Sequence, residues 1–142
     1  MRRRSLRPRI ESAAALLGLI FAGCSEELGP ERIPTTTISG VVVAAGKPLG
    51  RGWIEVQPLD GSLGDPGSAR LGPDGTFRID RAPVGKLVVR LLNIPIDLPY
   101  AIWLFRNSSP IRLDTQSAPG SPRTIDVMEE LYRHRKKMEP AR

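Results

Sequence analysis

With 142 residues and a single cysteine, the chain is long enough for one domain with a modest core, and it cannot build an internal disulfide or a thiolate zinc cluster. Its formal charge of +6 raises the question of nucleic acid, yet five of the 21 basic residues lie before residue 10. The stretch from 24 to 127 holds 11 basic against 11 acidic residues, so nucleic-acid binding by a domain there loses its main support and nucleic acid is not an expected partner.

The chain opens with Arg2, Arg3, Arg4, Arg7 and Arg9, followed by an apolar run from Ala13 to Ala22 and by Gly23 and Cys24. A charged start, a short apolar stretch and small residues at its end are the anatomy of an export signal. The run is shorter than the roughly 20 residues needed to cross about 30 Å of hydrocarbon, so a permanent span is the weaker reading. The tetrapeptide FAGC (residues 21–24) resembles the lipobox of bacterial lipoproteins, with Phe21 where Leu is commoner. That resemblance implies removal of residues 1–23 and acylation of Cys24, with simple secretion or an uncleaved signal anchor as the alternatives. Ser25, being other than Asp, leans the expected location toward the outer membrane, facing the periplasm or the cell surface. Residues 24–34, charged and with two prolines, read as a tether.

The folded part is expected over residues 35–127. TTTISGVVVAA is β-branched and apolar on both faces from Ile38 to Ala45, which predicts a central strand. The turn GKP leads to WIEVQ, where Ile54 and Val56 face one side and Trp53, Glu55 and Gln57 the other, so the two segments are expected to pair as a hairpin. After the loop DGSLGDPGS, the segments SARLG and TFRID flank Pro73, Asp74 and Gly75 and predict a second hairpin, with Phe77 and Ile79 inward. KLVVRLL then places Leu87, Val89 and Leu91 on one face.

The series ISGVVVAAGKPLGRGWIEVQPLDG and PDGTFRIDRAPVGKLVVRL resembles the carboxypeptidase regulatory-like domain over about Thr36 to Leu92. The resemblance implies an all-β fold, a transthyretin-like antiparallel Greek-key β-sandwich of about seven strands. It supplies an architecture and no catalytic residues.

Past Leu92, NIPIDLP predicts an irregular crossing. YAIWLFR, from Tyr100 to Arg106, fits a strand or two turns of helix, and strand is preferred because a sandwich needs one there. Final short strands are expected at Pro110 to Leu113 and Arg123 to Val127, with Ile111, Leu113, Ile125 and Val127 toward the core. Residues 128–142 form a charged tail in which Glu129 and Arg133, and the shared face of Met128, Leu131 and Arg135, allow a short helix capped by Asp126, a cap that competes with the strand to Val127. Its run RHRKK is read as a solvated, frayed terminus in preference to a patch for anionic headgroups or an acidic partner.

Chemistry is read by elimination. His134 is the only histidine, which is poor material for a triad or a histidine zinc site. Asp60, Asp65, Asp74 and Asp80 do not fit a calcium-loop spacing and sit beside turn residues, so turn roles are expected and no metal or cofactor is. Trp53, Tyr100 and Trp103 are the candidate ligand contacts, Trp53 foremost because it lies on the polar face of its strand. The expected function is non-enzymatic: a lipid-anchored envelope protein, held to the membrane through Cys24, that binds another envelope component. A carbohydrate-binding module is the alternative, and it requires two or three aromatics clustered on one solvent face.

Overall fold

The computed structural model describes residues 33–139; the expected signal, the expected lipidation site Cys24 and most of the expected tether lie outside them. The described chain is mostly β, with two four-stranded sheets and two helices.

The first sheet is built on β1 (Thr35–Ala44), which continues through a tight turn into β2 (Lys47–Pro48). β1 also pairs antiparallel with β5 (Thr76–Pro83) and parallel with β8 (Arg123–Asp126). β8 overlaps β5 along β1 at Gly40 and Val41, and overlaps β2 at Val43. A strand has only two hydrogen-bonding edges, so β5 and β2 share one and β8 takes the other. The apolar character of Ile38 to Ala45 is thus that of a strand paired on both edges, as expected. The β1–β8 pairing departs from the all-antiparallel expectation. Gly40 permits it: a Cβ there would overlap the Arg123 carbonyl.

The second sheet is antiparallel, in the order β4 (Gly67–Arg70), β3 (Trp53–Pro58), β6 (Lys86–Leu92), β7 (Arg112–Asp114). Two expected hairpins are corrected by this division. The segment after the Gly46 turn pairs with β1 for only two residues, closed by the bond from Leu49 N to Val42 O at 2.9 Å, before the chain crosses to the second sheet as β3. β3 therefore never pairs with β1. The Pro73–Gly75 turn forms, with Gly75 N donating to Gly72 O at 2.9 Å, but β4 belongs to one sheet and β5 to the other. Turn residues fix a reversal of direction; which strand takes the free edge is decided by the core. Here Val42 N, on β1, donates to Gly75 O at 2.9 Å and draws β5 to the first sheet.

The inward alternation matches expectation throughout: Ile54, Val56, Phe77, Ile79, Leu87, Val89 and Leu91 are buried, and Ile111, Ile125 and Val127 with them, while Leu113 packs partly buried against the cluster. Side chains of both sheets and both helices form one hydrophobic cluster.

Tyr100 to Arg106 is helical, not a strand, within α1 (Pro99–Asn107). Pro99 opens it at a position where its missing N–H is no loss. Ala101, Leu104 and Phe105, at helical spacing, are buried. Arg90 closes the other end, donating from Nε to the Arg106 carbonyl at 2.6 Å and from a terminal nitrogen to Glu55 at 3.1 Å. The expected strand to Val127 stops one residue earlier, because α2 (Val127–Met138) starts there. The basic run RHRKK belongs to this helix, which has the expected Asp126 cap and buries Val127 and Leu131, so the short helix forms and the run is not frayed. No helix among the described residues is long and apolar enough to cross a membrane.

Candidate functional site

Trp53 opens β3 with its side chain on the outer face of the second sheet, where the register sets it directly opposite Arg70 on edge strand β4 and Leu92 on β6. Directly opposed residues hold their Cβ atoms about 5 Å apart on one face, so the indole and the Arg70 guanidinium are neighbours by register. Trp53 is 46 % exposed, and a depression of about 500 Å³ surrounds it. Arg51 and Asn93 complete the polar lining, and Ile94 and Ile102 form its apolar wall.

The backbone beneath is shaped by Gly52. Its φ of 120° suits glycine, and a Cβ would stand 2.8 Å from the Leu92 carbonyl and 3.1 Å from that of Asn93. This close approach holds Arg51 against the turn after β6. Gly52 O also accepts from Leu71 N at 3.0 Å, tying the end of β4 to the start of β3.

Half of the ten described arginines have a carboxylate or carbonyl partner, and Arg51 and Arg70 are in the other half, with Arg81, Arg106 and Arg135. Arg78, Arg90 and Arg133 pair with carboxylates, and Arg112 and Arg123 donate to backbone carbonyls. Among the described residues Arg51 and Arg70 have neither kind of partner, and no carboxylate lines the depression.

The three aromatics singled out by sequence do not share this surface. Tyr100, 53 % exposed, faces a second groove of about 790 Å³ whose other side is α2, through Leu131, Tyr132, Arg135 and Lys136. Trp103, 56 % exposed, lines neither depression. The sequence reading missed Arg51, Arg70 and Asn93. Arg51, two residues before Trp53, was visible in the chain; Arg70 and Asn93 arrive only through strand register.

The aspartates serve the backbone. Asp74 accepts from Thr76 Oγ1 at 2.6 Å and Thr76 N at 3.1 Å, and these bonds hold its carboxyl below the ordinary carboxylate value. Asp114 is likewise lowered, first by the Gln116 amide. Asp60 sits at φ 50° in the turn closed by Ser62 N and Leu59 O, whereas Asp80 departs from its expected turn role: it lies within β5 and accepts from Arg78 Nε at 2.6 Å.

Asp126 has a wider reach. Its carboxylate accepts from Met128 N and Glu129 N, capping α2, and from Ala45 N and Gly46 N, both at 3.1 Å, in the β1–β2 turn. Burial pushes its carboxyl up, but the four amides outweigh this and hold it below the ordinary value. Among the described residues no three His, Cys, Asp or Glu side chains converge as metal ligands would, and His134 lies on α2.

No protein-family model, curated protein or solved structure matches the chain.

Proposed function

We propose that the chain is a lipid-anchored, non-enzymatic envelope protein whose folded part, a transthyretin-like Greek-key β-sandwich of the carboxypeptidase regulatory-like kind, binds another envelope component. The observation that carries the reading is the order along the chain: five arginines, the apolar run from Ala13 to Ala22, FAGC, and then a folded unit that begins at residue 33. Two sheets packed on one core support the sandwich. The binding role draws support from two exposed depressions lined by aromatic and basic side chains. Intact-mass spectrometry and membrane fractionation from a bacterial host test the anchor. The wild-type chain is expected to lose residues 1–23, gain a diacylglyceryl-sized mass and pellet with membranes, while Cys24→Ala stays unmodified. A full-length, unmodified wild-type chain in the soluble fraction would refute it.

A second reading, a carbohydrate-binding module, lacks the cluster of aromatics expected of it, because Tyr100 and Trp103 lie outside the depression at Trp53; its support is Trp53 alone, whose exposed indole offers a flat apolar platform for a sugar ring. Glycan-array binding that disappears in Trp53→Ala supports it. Retention of one envelope protein, unchanged by that substitution, supports the first reading.

A further inference from the structure

The side chains around Trp53 are nearly all hydrogen-bond donors. Arg51 and Arg70 each carry five N–H groups and no acceptor, and the indole can only donate; Asn93 supplies the one side-chain acceptor in the lining. A neutral sugar presents hydroxyls that donate as much as they accept, and it would leave its own donors short of side-chain partners here. A ligand rich in acceptors and negatively charged suits the lining far better.

Geometry narrows the choice. The two arginines come from different segments, one two residues before Trp53 and one opposite it at the end of β4, and both line the depression with Trp53. Each guanidinium fork matches a carboxylate through two parallel N–H bonds. The exposed indole offers a stacking face, and Ile94 and Ile102 a short apolar wall. A pyranose bearing a carboxylate has both features in one unit: a ring face for the indole and an anion at its rim.

We propose that the depression at Trp53 is a subsite for an acidic saccharide, with the indole as platform for the ring and Arg51 and Arg70 as partners of its carboxylate. The proposal rests on the carbohydrate reading above and gives it a ligand class. It gives a role to the two exposed arginines that line the depression with the exposed tryptophan.

The chain has two tryptophans, so Trp103→Phe leaves Trp53 as the sole indole and makes its fluorescence a local probe. The full chain carrying Trp103→Phe is titrated with a galacturonate hexamer, maltohexaose and hexathymidylate, with affinities from calorimetry in parallel. The expected result is a saturable change in Trp53 emission with the galacturonate oligomer, weakened by added salt, and little change with maltohexaose. Arg51→Gln with Arg70→Gln should lower the affinity at least about tenfold, and Trp53→Ala by a similar factor. All three positions are exposed, so the variants are expected to keep the wild-type unfolding curve. Equal affinity for maltohexaose that persists in the double arginine variant would overturn the acidic class while leaving the carbohydrate reading standing. Failure of both saccharides would overturn both. Tighter, Trp53-dependent binding of hexathymidylate would overturn the proposal in favour of single-stranded nucleic acid.

Discussion

The two parts of the folded chain are held by different means. From Thr35 to Leu92, six strands follow one another through turns whose chemistry is local: Asp74 bonds Thr76 two residues on, and Gly75 N bonds Gly72 O. From residue 93 to 139, two helices and two short strands are held by bonds that reach far along the sequence. Arg90 terminates α1, Thr115 Oγ1 accepts from Gly85 N at 2.7 Å, and Asp126 bonds a turn 80 residues earlier. The first part shows its strands and turns in neighbouring residues, although their pairing and bonds such as Lys86 N to Ser62 Oγ reach further, while the second depends on a few side chains that each join distant segments. Damage to the second should therefore spread further.

The largest expected effect is on the packing of α1. Phe105 is fully buried, and Phe105→Ala should destabilise the fold by about 3–5 kcal/mol, read from urea or thermal unfolding. A loss under about 1 kcal/mol would mean that α1 is an appendage and not part of the shared core. Next comes Asp126→Ala, which removes a helix cap together with two bonds to the β1–β2 turn and is expected to cost about 2–4 kcal/mol. Its distinguishing mark is hydrogen exchange: the Ala45 and Gly46 amides should lose protection together with Met128. Asp126→Asn sharpens the point, since one oxygen can still serve Met128 while the oxygen that accepts from Gly46 is replaced by a donor. It should keep the α2 cap and expose the Gly46 amide alone.

Acid tests the same contrast. The Asp126 carboxyl lies below its ordinary 3.8 in the folded chain, so the unfolded chain binds a proton at a pH where the native one does not. Its contribution is fully present only well above the unfolded 3.8 and is lost as pH falls from there through the depressed native value. Urea midpoints should therefore drop as pH is lowered from about 5 through that native value, and less steeply in Asp126→Asn. An equal slope in both would place the acid sensitivity elsewhere, in Asp74 or Asp114.

Much of the strand content was legible because alternation survives in single residues: Phe77, Ile79, Leu87, Val89 and Leu91 point inward as their period requires. Pairing was not legible, because the same turn at Pro73–Gly75 can close a hairpin or send two strands to different sheets. The helix over Tyr100 to Arg106 was misjudged by giving a fold expectation priority over Pro99 and the spacing of Ala101, Leu104 and Phe105. Asp126 was readable as a helix cap, but its bonds to Ala45 and Gly46 depend on β8 running parallel to β1, which leaves no local trace. The same limit applies at the candidate site. Trp53 stood out by exposure on a polar face, whereas Arg70 and Asn93 meet it only once register is known.

The smallest effect is expected at Asp74, and it is the sharpest control. The residue is exposed, its carboxylate bonds only within its own turn, and that turn keeps two backbone bonds without it, Gly72 N to Thr76 O at 2.8 Å and Gly75 N to Gly72 O at 2.9 Å. Asp74→Ala should hasten exchange of the Thr76 amide while shifting the unfolding midpoint far less than Asp126→Ala. Both aspartates are lowered in pKa by bonds to N–H or O–H donors, so their carboxyl chemistry alone does not distinguish them. What distinguishes them is the length of chain each closes. If Asp74→Ala were as damaging as Asp126→Ala, the turn would be acting as a long-range tie, through the bond from Val42 N to Gly75 O that joins it to β1, and the division into a locally and a remotely secured part would fail.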